Sequence, residues 1–134
     1  MEVRTRFVVI DDDKLNNKIC TATLEKLAAN ADVKTFIDPL LGFDYIAQQD
    51  KATGDDATVV FLDINMPTLN GWEFLARFDL LDEAVKKRVK LYILSSSVDK
   101  RDIDRARSDK NVVHYLVKPL TRETIRLITY SQNR

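Results

Sequence analysis

The chain is poor in the residues that several protein classes depend on. One cysteine, Cys20, stands among 134 residues. No internal disulfide can form, which suits a reducing cytoplasm rather than a disulfide-stapled scaffold. Only three glycines occur, Gly42, Gly54 and Gly71, and they fit neither a dinucleotide fingerprint nor a phosphate-cradling P-loop. No charge of one sign dominates: 21 Lys and Arg face 21 Asp and Glu, which removes the simplest electrostatic case for nucleic-acid binding. No apolar run approaches the roughly 20 residues of a membrane span. Met1-Glu2-Val3-Arg4 lacks the apolar core of a signal peptide. What is present, 45% hydrophobic and 31% charged residues, describes a globular chain. No repeat, low-complexity stretch or linker interrupts it. One domain over residues 1–134 is expected, with its core at about 6–130 and no output domain.

Short apolar runs alternate with polar, helix-like stretches. Phe7-Val8-Val9-Ile10, Val33 to Ile37, Ala57 to Leu62, Leu91 to Leu94 and Val112 to Val117 read as strands. Three of them lack polar alternation, as do strands buried on both faces of a parallel sheet. Asp13 can cap a first helix, with Ile19, Cys20, Thr23, Leu24 and Leu27 on one broad apolar face. Asp38-Pro39 opens a second. Gly71 to about Val85 reads as a third, with Phe74, Leu75 and Phe78 inward. Asp99 to Ser108 is a very polar fourth, with Ile103 and Ala106 as its core anchors. Thr121 can cap a fifth, packed through Ile125, Leu127 and Ile128. Five β-α units in series predict an α/β fold, a doubly wound five-stranded parallel sheet with five helices. The flavodoxin-like order 2-1-3-4-5 is favoured.

The chemistry-bearing residues follow the strands. Asp11-Asp12-Asp13 follows the first, Asp63 the third, Ser95-Ser96-Ser97 the fourth and Lys118-Pro119 the fifth. All four positions share the carboxyl edge of a parallel sheet, where ligands of open α/β folds bind beside the switch in strand order. Here that switch lies between the first and third strands, so the two acidic ends are neighbours. Two charges about 4 Å apart interact by roughly 4 kcal/mol near a protein surface. Three carboxylates together therefore call for compensating charge. Mg²⁺ prefers oxygen ligands and one or two carboxylates plus water. Lys118 adds a fixed cation and Ser95 a hydroxyl. Carboxylates, Mg²⁺, lysine and hydroxyl suit phosphoryl transfer, in which positioning and charge neutralisation supply most of the catalysis. A carboxylate can itself be the nucleophile, giving an aspartyl phosphate.

These residues resemble the receiver domain of two-component response regulators, and the resemblance runs over about residues 6–130. It rests on an ordered set: Asp11-Asp12, Asp63 within Asp63-Ile64-Asn65-Met66-Pro67, then Gly71, Ser95 and Lys118-Pro119. The resemblance implies phosphorylation of Asp63 by a sensor histidine kinase or a histidine phosphotransfer protein. It implies Mg²⁺ held by Asp12, Asp63 and the backbone carbonyl of Asn65, with Asp11 acting through water. Lys118 would pair with the phosphoryl group. Ser95 would turn toward that group and Tyr115 would swing inward with it. The surface of the fourth helix, fifth strand and fifth helix would then change its affinity for a downstream protein. Asn65 and Ser97 stand where the family tunes phosphoaspartate hydrolysis. Lys118-Pro119 would be a cis peptide. Ser95 and Ser96 depart from the threonine and alanine common at their positions.

Plainer roles suit other residues. Asp13 reads as a helix cap rather than a metal ligand, Cys20 as inert packing and His114 as an ordinary strand residue. The mixed charges of Asp99 to Lys110 form a solvated helix face or, in the sharper reading, a marginal helix that shifts on phosphorylation. A haloacid-dehalogenase-like phosphohydrolase shares the strand-end Asp, the hydroxyl, the lysine and Mg²⁺. It needs a second Asp where Asn65 stands. A receiver-like module that is never phosphorylated is the other competitor. The protein is expected to be a cytoplasmic monomer or weak dimer that contacts neither membrane nor nucleic acid directly.

Overall fold

The computed structural model describes residues 5–27, 31–48 and 57–132. Five strands, β1 (Arg6–Ile10), β2 (Asp32–Phe36), β3 (Thr58–Leu62), β4 (Val89–Ser95) and β5 (Val112–Val117), form one sheet in the order β2-β1-β3-β4-β5. Every neighbouring pair is parallel. Among the described residues six helices flank it: α1 (Lys14–Leu27), α2 (Pro39–Ala47), α3 (Gly71–Asp79), α4 (Glu83–Arg88), α5 (Lys100–Arg107) and α6 (Arg122–Gln132). The flavodoxin-like α/β arrangement read from the sequence is the one observed, with one helix more.

Burial explains the strand compositions. All of β3 is buried, and only Lys90 of β4 is exposed. The edge strands β2 and β5 hold no fully buried residue. Side chains alternate across the sheet, so one strand feeds two cores. Val8, Ile10, Val60, Leu62, Leu91 and Ile93 pack with Ile46, Phe74, Leu75, Phe78 and Ala106. On the other face Phe7, Val9, Phe61, Tyr92 and Leu94 pack with Cys20, Leu24, Ile125 and Ile128.

Three helical expectations need correction. The third helix does not run unbroken to Val85. It ends at Asp79, and α4 begins at Glu83. The Lys86 ammonium reaches back to the Asp79 carbonyl at 3.0 Å and so closes the end of α3. Phe74, Phe78 and Val85 are all buried, and Leu81 packs partly against them; this spacing suits one continuous helix as well as two short ones. Leu127 does not pack: it is 69% exposed, while Ile125 and Ile128 are buried. On α1 the buried stripe is narrower and starts earlier than the face read from sequence. Cys20 and Leu24 are buried and Ile19 is 42% exposed. Asn16 and Asn17 take the place nearest the sheet edge.

The caps match. The Asp13 carboxylate accepts from the Leu15 and Asn16 amides at 2.9 and 3.2 Å. Asp38 accepts from Leu40 ahead of Pro39, and the Thr121 hydroxyl from Thr124; Asp99, for which no cap was expected, also accepts from Arg101. Each accepts from at least one of the donors a helix start leaves unpaired.

Candidate functional site

The sheet itself assembles the site. The Asp11 amide bonds the Phe36 carbonyl at 3.0 Å, and the Asp63 amide bonds the Ile10 carbonyl at 3.0 Å. These bonds extend the β2-β1-β3 ladder one residue past the strands and fix Asp11 and Asp63 side by side. Across the sheet the Lys118 amide bonds the Ser95 carbonyl at 2.9 Å. Backbone pairing therefore brings together four residues spread over 108 positions of sequence, from 11 to 118.

Asp11 is the most constrained of them, at 1% exposure. Its Oδ1 accepts from the Asp13 amide at 2.9 Å. Its Oδ2 accepts from Asn16 Nδ2 at 2.9 Å and lies 2.7 Å from Lys118 Nζ. Its carbonyl accepts from Asn17 Nδ2 at 2.9 Å. Asp63 is buried but less restrained. Its Oδ1 accepts a longer 3.3 Å bond from the Asn65 amide, and its Oδ2 is 3.8 Å from Lys118 Nζ. Asp12 is exposed. One oxygen from each of Asp11, Asp12 and Asp63 lies within 4.8 Å of the other two.

Charge follows from that crowding. Burial, then the Asp11 carboxylate, push the Asp63 pKa up to about 6, against the pull of Lys118. Burial disfavours the Lys118 ammonium. Its hydrogen bond to Asp11 and the charges of Asp63 and Asp11 outweigh that and hold its pKa above a free lysine's. One ammonium among three carboxylates leaves the cluster negative. The donors are all hard oxygens, open to solvent on the Asp12 side. Asp11, Asp12 and Asp63 could hold a hard divalent cation, which takes carboxylate and water oxygens.

Glycine at position 71 is what lets α3 start beside this turn. A Cβ there would stand 2.6 Å from Ile64 Cα and 2.9 Å from the Asp63 carbonyl oxygen. The Gly71 amide bonds the Ile64 carbonyl at 3.0 Å. Asn70 and Glu73 close a reciprocal capping box on the same helix.

Beyond the carboxylates, Ser95 is fully buried and its Oγ accepts from the Ser97 amide at 3.1 Å. The half-buried Tyr115 ring packs against the first core, and its hydroxyl donates to the Ser97 carbonyl at 2.7 Å. The Lys118-Pro119 peptide is cis. Asn65 is exposed beside Asp63. His114 lies exposed on β5, stacked near Tyr92 with centroids 6.4 Å apart, away from the carboxylates. Cys20 is buried, and burial pushes its thiol up to about 11, so it stays protonated and unreactive.

Sequence reading missed Asn16 and Asn17, which orient Asp11. Asn16 sits one turn before Cys20 and two before Leu24, on the stripe that faces the sheet. A carboxamide on an apolar stripe was the available signal, since buried amides need partners.

Comparisons with known proteins agree with this geometry. The response regulator receiver domain model matches residues 7–129. A response regulator receiver protein from Dyadobacter fermentans superposes with a TM-score of 0.85 at 30% identity, covering 95% of this chain and 96% of that one. A two-component response regulator from Cytophaga hutchinsonii gives a TM-score of 0.83 at 25% identity, covering 99% and 100%. Hybrid signal transduction histidine kinase L of Dictyostelium discoideum is 27% identical over 127 residues, 92% of this chain. The chain spans only 7% of that protein's length. Matched along almost its whole length, and carrying acidic strand ends, serine and lysine on one sheet edge, the chain belongs to the response regulator receiver domain family.

Proposed function

We propose that the chain is the phosphoacceptor module of a two-component or phosphorelay pathway, with Asp63 as the acceptor. The observation that carries this reading is the division of labour between two adjacent carboxylates. Asp11 is held in place by Asp13, Asn16 and Lys118. Asp63 keeps an oxygen 3.8 Å from the same ammonium and is held by one long amide bond. The first is built to stay and the second to react.

The donor would be a phosphohistidine on a histidine kinase or a phosphotransfer protein. An Asp63 oxygen attacks phosphorus, the P–N bond breaks, and its electron pair leaves with the imidazole. Lys118 faces both carboxylates and would neutralise one phosphoryl oxygen. The Ser95 hydroxyl, which accepts from the Ser97 amide through one lone pair, would donate a hydrogen bond to another. Mg²⁺ held by Asp12, Asp63 and the Asn65 carbonyl, with Asp11 through water, would supply the remaining positive charge. Hydrolysis of the acyl phosphate by water, at a rate set partly by Asn65 and Ser97, would return the resting state. Apart from accepting and losing its own phosphoryl group, the chain would catalyse nothing. Tyr115 and the α5-β5-α6 surface would carry the change to a downstream protein. The whole would act as one receiver module, in the reducing cytoplasm that a lone buried cysteine fits.

Intact mass after incubation with a small-molecule phosphodonor tests this. One phosphoryl group should appear on the wild type with Mg²⁺, and none on Asp63→Asn or in chelator. If Mg²⁺ binds but neither phosphorylation nor Mg²⁺-dependent beryllofluoride binding follows, the module is not a phosphoacceptor.

A further inference from the structure

We propose that Asp102, in the first turn of α5, is a positioning residue that acts through Ser97 to hold Tyr115 inward and so couples α5 to the occupancy of Asp63. The coupling to Asp63 rests on the phosphoacceptor reading; the hold on Tyr115 does not.

Ser97 is a junction. Its amide donates to Ser95 Oγ at 3.1 Å. Its carbonyl accepts from the Tyr115 hydroxyl at 2.7 Å. Its hydroxyl donates to Asp102 Oδ2 at 2.7 Å and accepts from the Asp99 amide at 3.3 Å. A serine hydroxyl has one proton to give, and here it is committed to a carboxylate, the stronger kind of acceptor. Asp99 is itself the N-cap of α5. The residue that joins the Ser95 hydroxyl to the Tyr115 hydroxyl is therefore tied to the start of α5 by two bonds.

The tie matters because α5 has little else. Ala106 is its one fully buried residue and Ile103 is half-buried. Arg105 lies over the Trp72 ring of α3, 4.3 Å from its centroid. If α5 moves, Asp102 moves, and Ser97 either follows or loses its proton acceptor. Either way the carbonyl under Tyr115 is no longer held in place. A ligand shifts such an equilibrium only through contacts that differ between the two states, and this chain of bonds is where they would differ.

Two measurements on the full chain test the proposal: the Tyr115 side-chain rotamer by NMR in metal-free protein, and Mg²⁺-dependent beryllofluoride affinity. Asp102→Ala and Ser97→Ala should each depopulate the inward rotamer and weaken beryllofluoride binding about 3- to 10-fold, as the loss of one hydrogen bond implies. The double variant should be no worse than either single one, because both break the same bond. Asp102→Asn keeps an acceptor oxygen and should restore most of both signals. Asp104→Ala, which removes an exposed acid from the same helix, should change neither. An unmoved rotamer in Asp102→Ala, or additive losses in the double variant, would overturn the proposal. A wild type that binds no beryllofluoride would overturn the phosphoacceptor reading and with it the coupling to Asp63, leaving the rotamer to decide the hold on Tyr115.

Discussion

Asp63 is held in the folded protein at a cost, and that cost is measurable. Its pKa of about 6 stands above the usual carboxylate value, because burial and then Asp11 disfavour its charge. Between about 4 and 6 the folded state binds more protons at this site than the unfolded chain. Its contribution to stability therefore falls as pH rises through that window. Asp63→Asn should flatten that slope. In metal-free buffer at pH 7 it should stabilise the fold by about 1–2 kcal/mol, a figure already reduced for solvent screening, seen as a melting temperature higher by several degrees. Mg²⁺ should do to the wild type what the substitution does. The Asp63 carboxyl resonance, titrating near 6 in chelator, should shift its midpoint downward once Mg²⁺ is added. A midpoint that ignores Mg²⁺ would remove Asp63 from the metal site. Lys118→Met should act in the opposite sense on stability. It leaves Asp11 buried beside Asp63 without their shared cation, and urea unfolding should show a loss of about 2–3 kcal/mol. The strand-end residues were readable in the sequence because each directly follows a short apolar run. Asn16 and Asn17 were not, since their partner Asp11 lies five and six residues back, across a turn.

Helices were legible as far as their ends announced themselves. Asp13, Asp38 and Thr121 were expected to cap, and they do. The break between α3 and α4 left no such mark. Asp82 stands at the start of α4 but makes no side-chain cap bond, and the apolar spacing runs on through the break. Leu127 looked like a packing residue because amphipathic spacing locates a face only within a residue either way. The start of α3 is tighter than the sequence suggests. Gly71→Ala would place a methyl group inside contact distance of backbone at Ile64, so the Asp63 turn must shift. A loss of about 1–3 kcal/mol is expected from such overpacking, with weaker Mg²⁺ binding measured in the same samples. The polar helix at Asp99 to Ser108, read as marginal, does bury little. Its amides should exchange with solvent faster than those of α1 around Cys20 and Leu24. Trp72, the only tryptophan, sits under Arg105. Its fluorescence should change when Mg²⁺ and beryllofluoride bind, and an unchanged spectrum would mean that α5 does not move relative to α3.

At the scale of the molecule the fold was the most legible part, because a parallel sheet covered on both faces leaves long apolar runs and places its loops on one edge. Once the order β2-β1-β3-β4-β5 is given, Asp11, Asp63, Ser95 and Lys118 have nowhere to be but together. What the alternation could not convey is which of them touch. Lys118 is nearer Asp11 than Asp63, by 2.7 against 3.8 Å. That preference depends on rotamers set by neighbours on α1, and no pattern along one strand encodes it.

The position of Lys118 along the chain matters during synthesis. Its partners Asp11 and Asp63, and the neighbouring Asp12, leave the ribosome long before it does, and β5, which Lys118 directly follows, is an edge strand added last to the sheet. A nascent chain can thus pair β1, β2 and β3 while the three acids face one another with no lysine between them. Their repulsion opposes early closure of that half-sheet, and divalent ions would relieve it. Translation stalled before residue 118 should leave a nascent domain whose resistance to protease depends on Mg²⁺, and release of the last two elements should lessen that dependence.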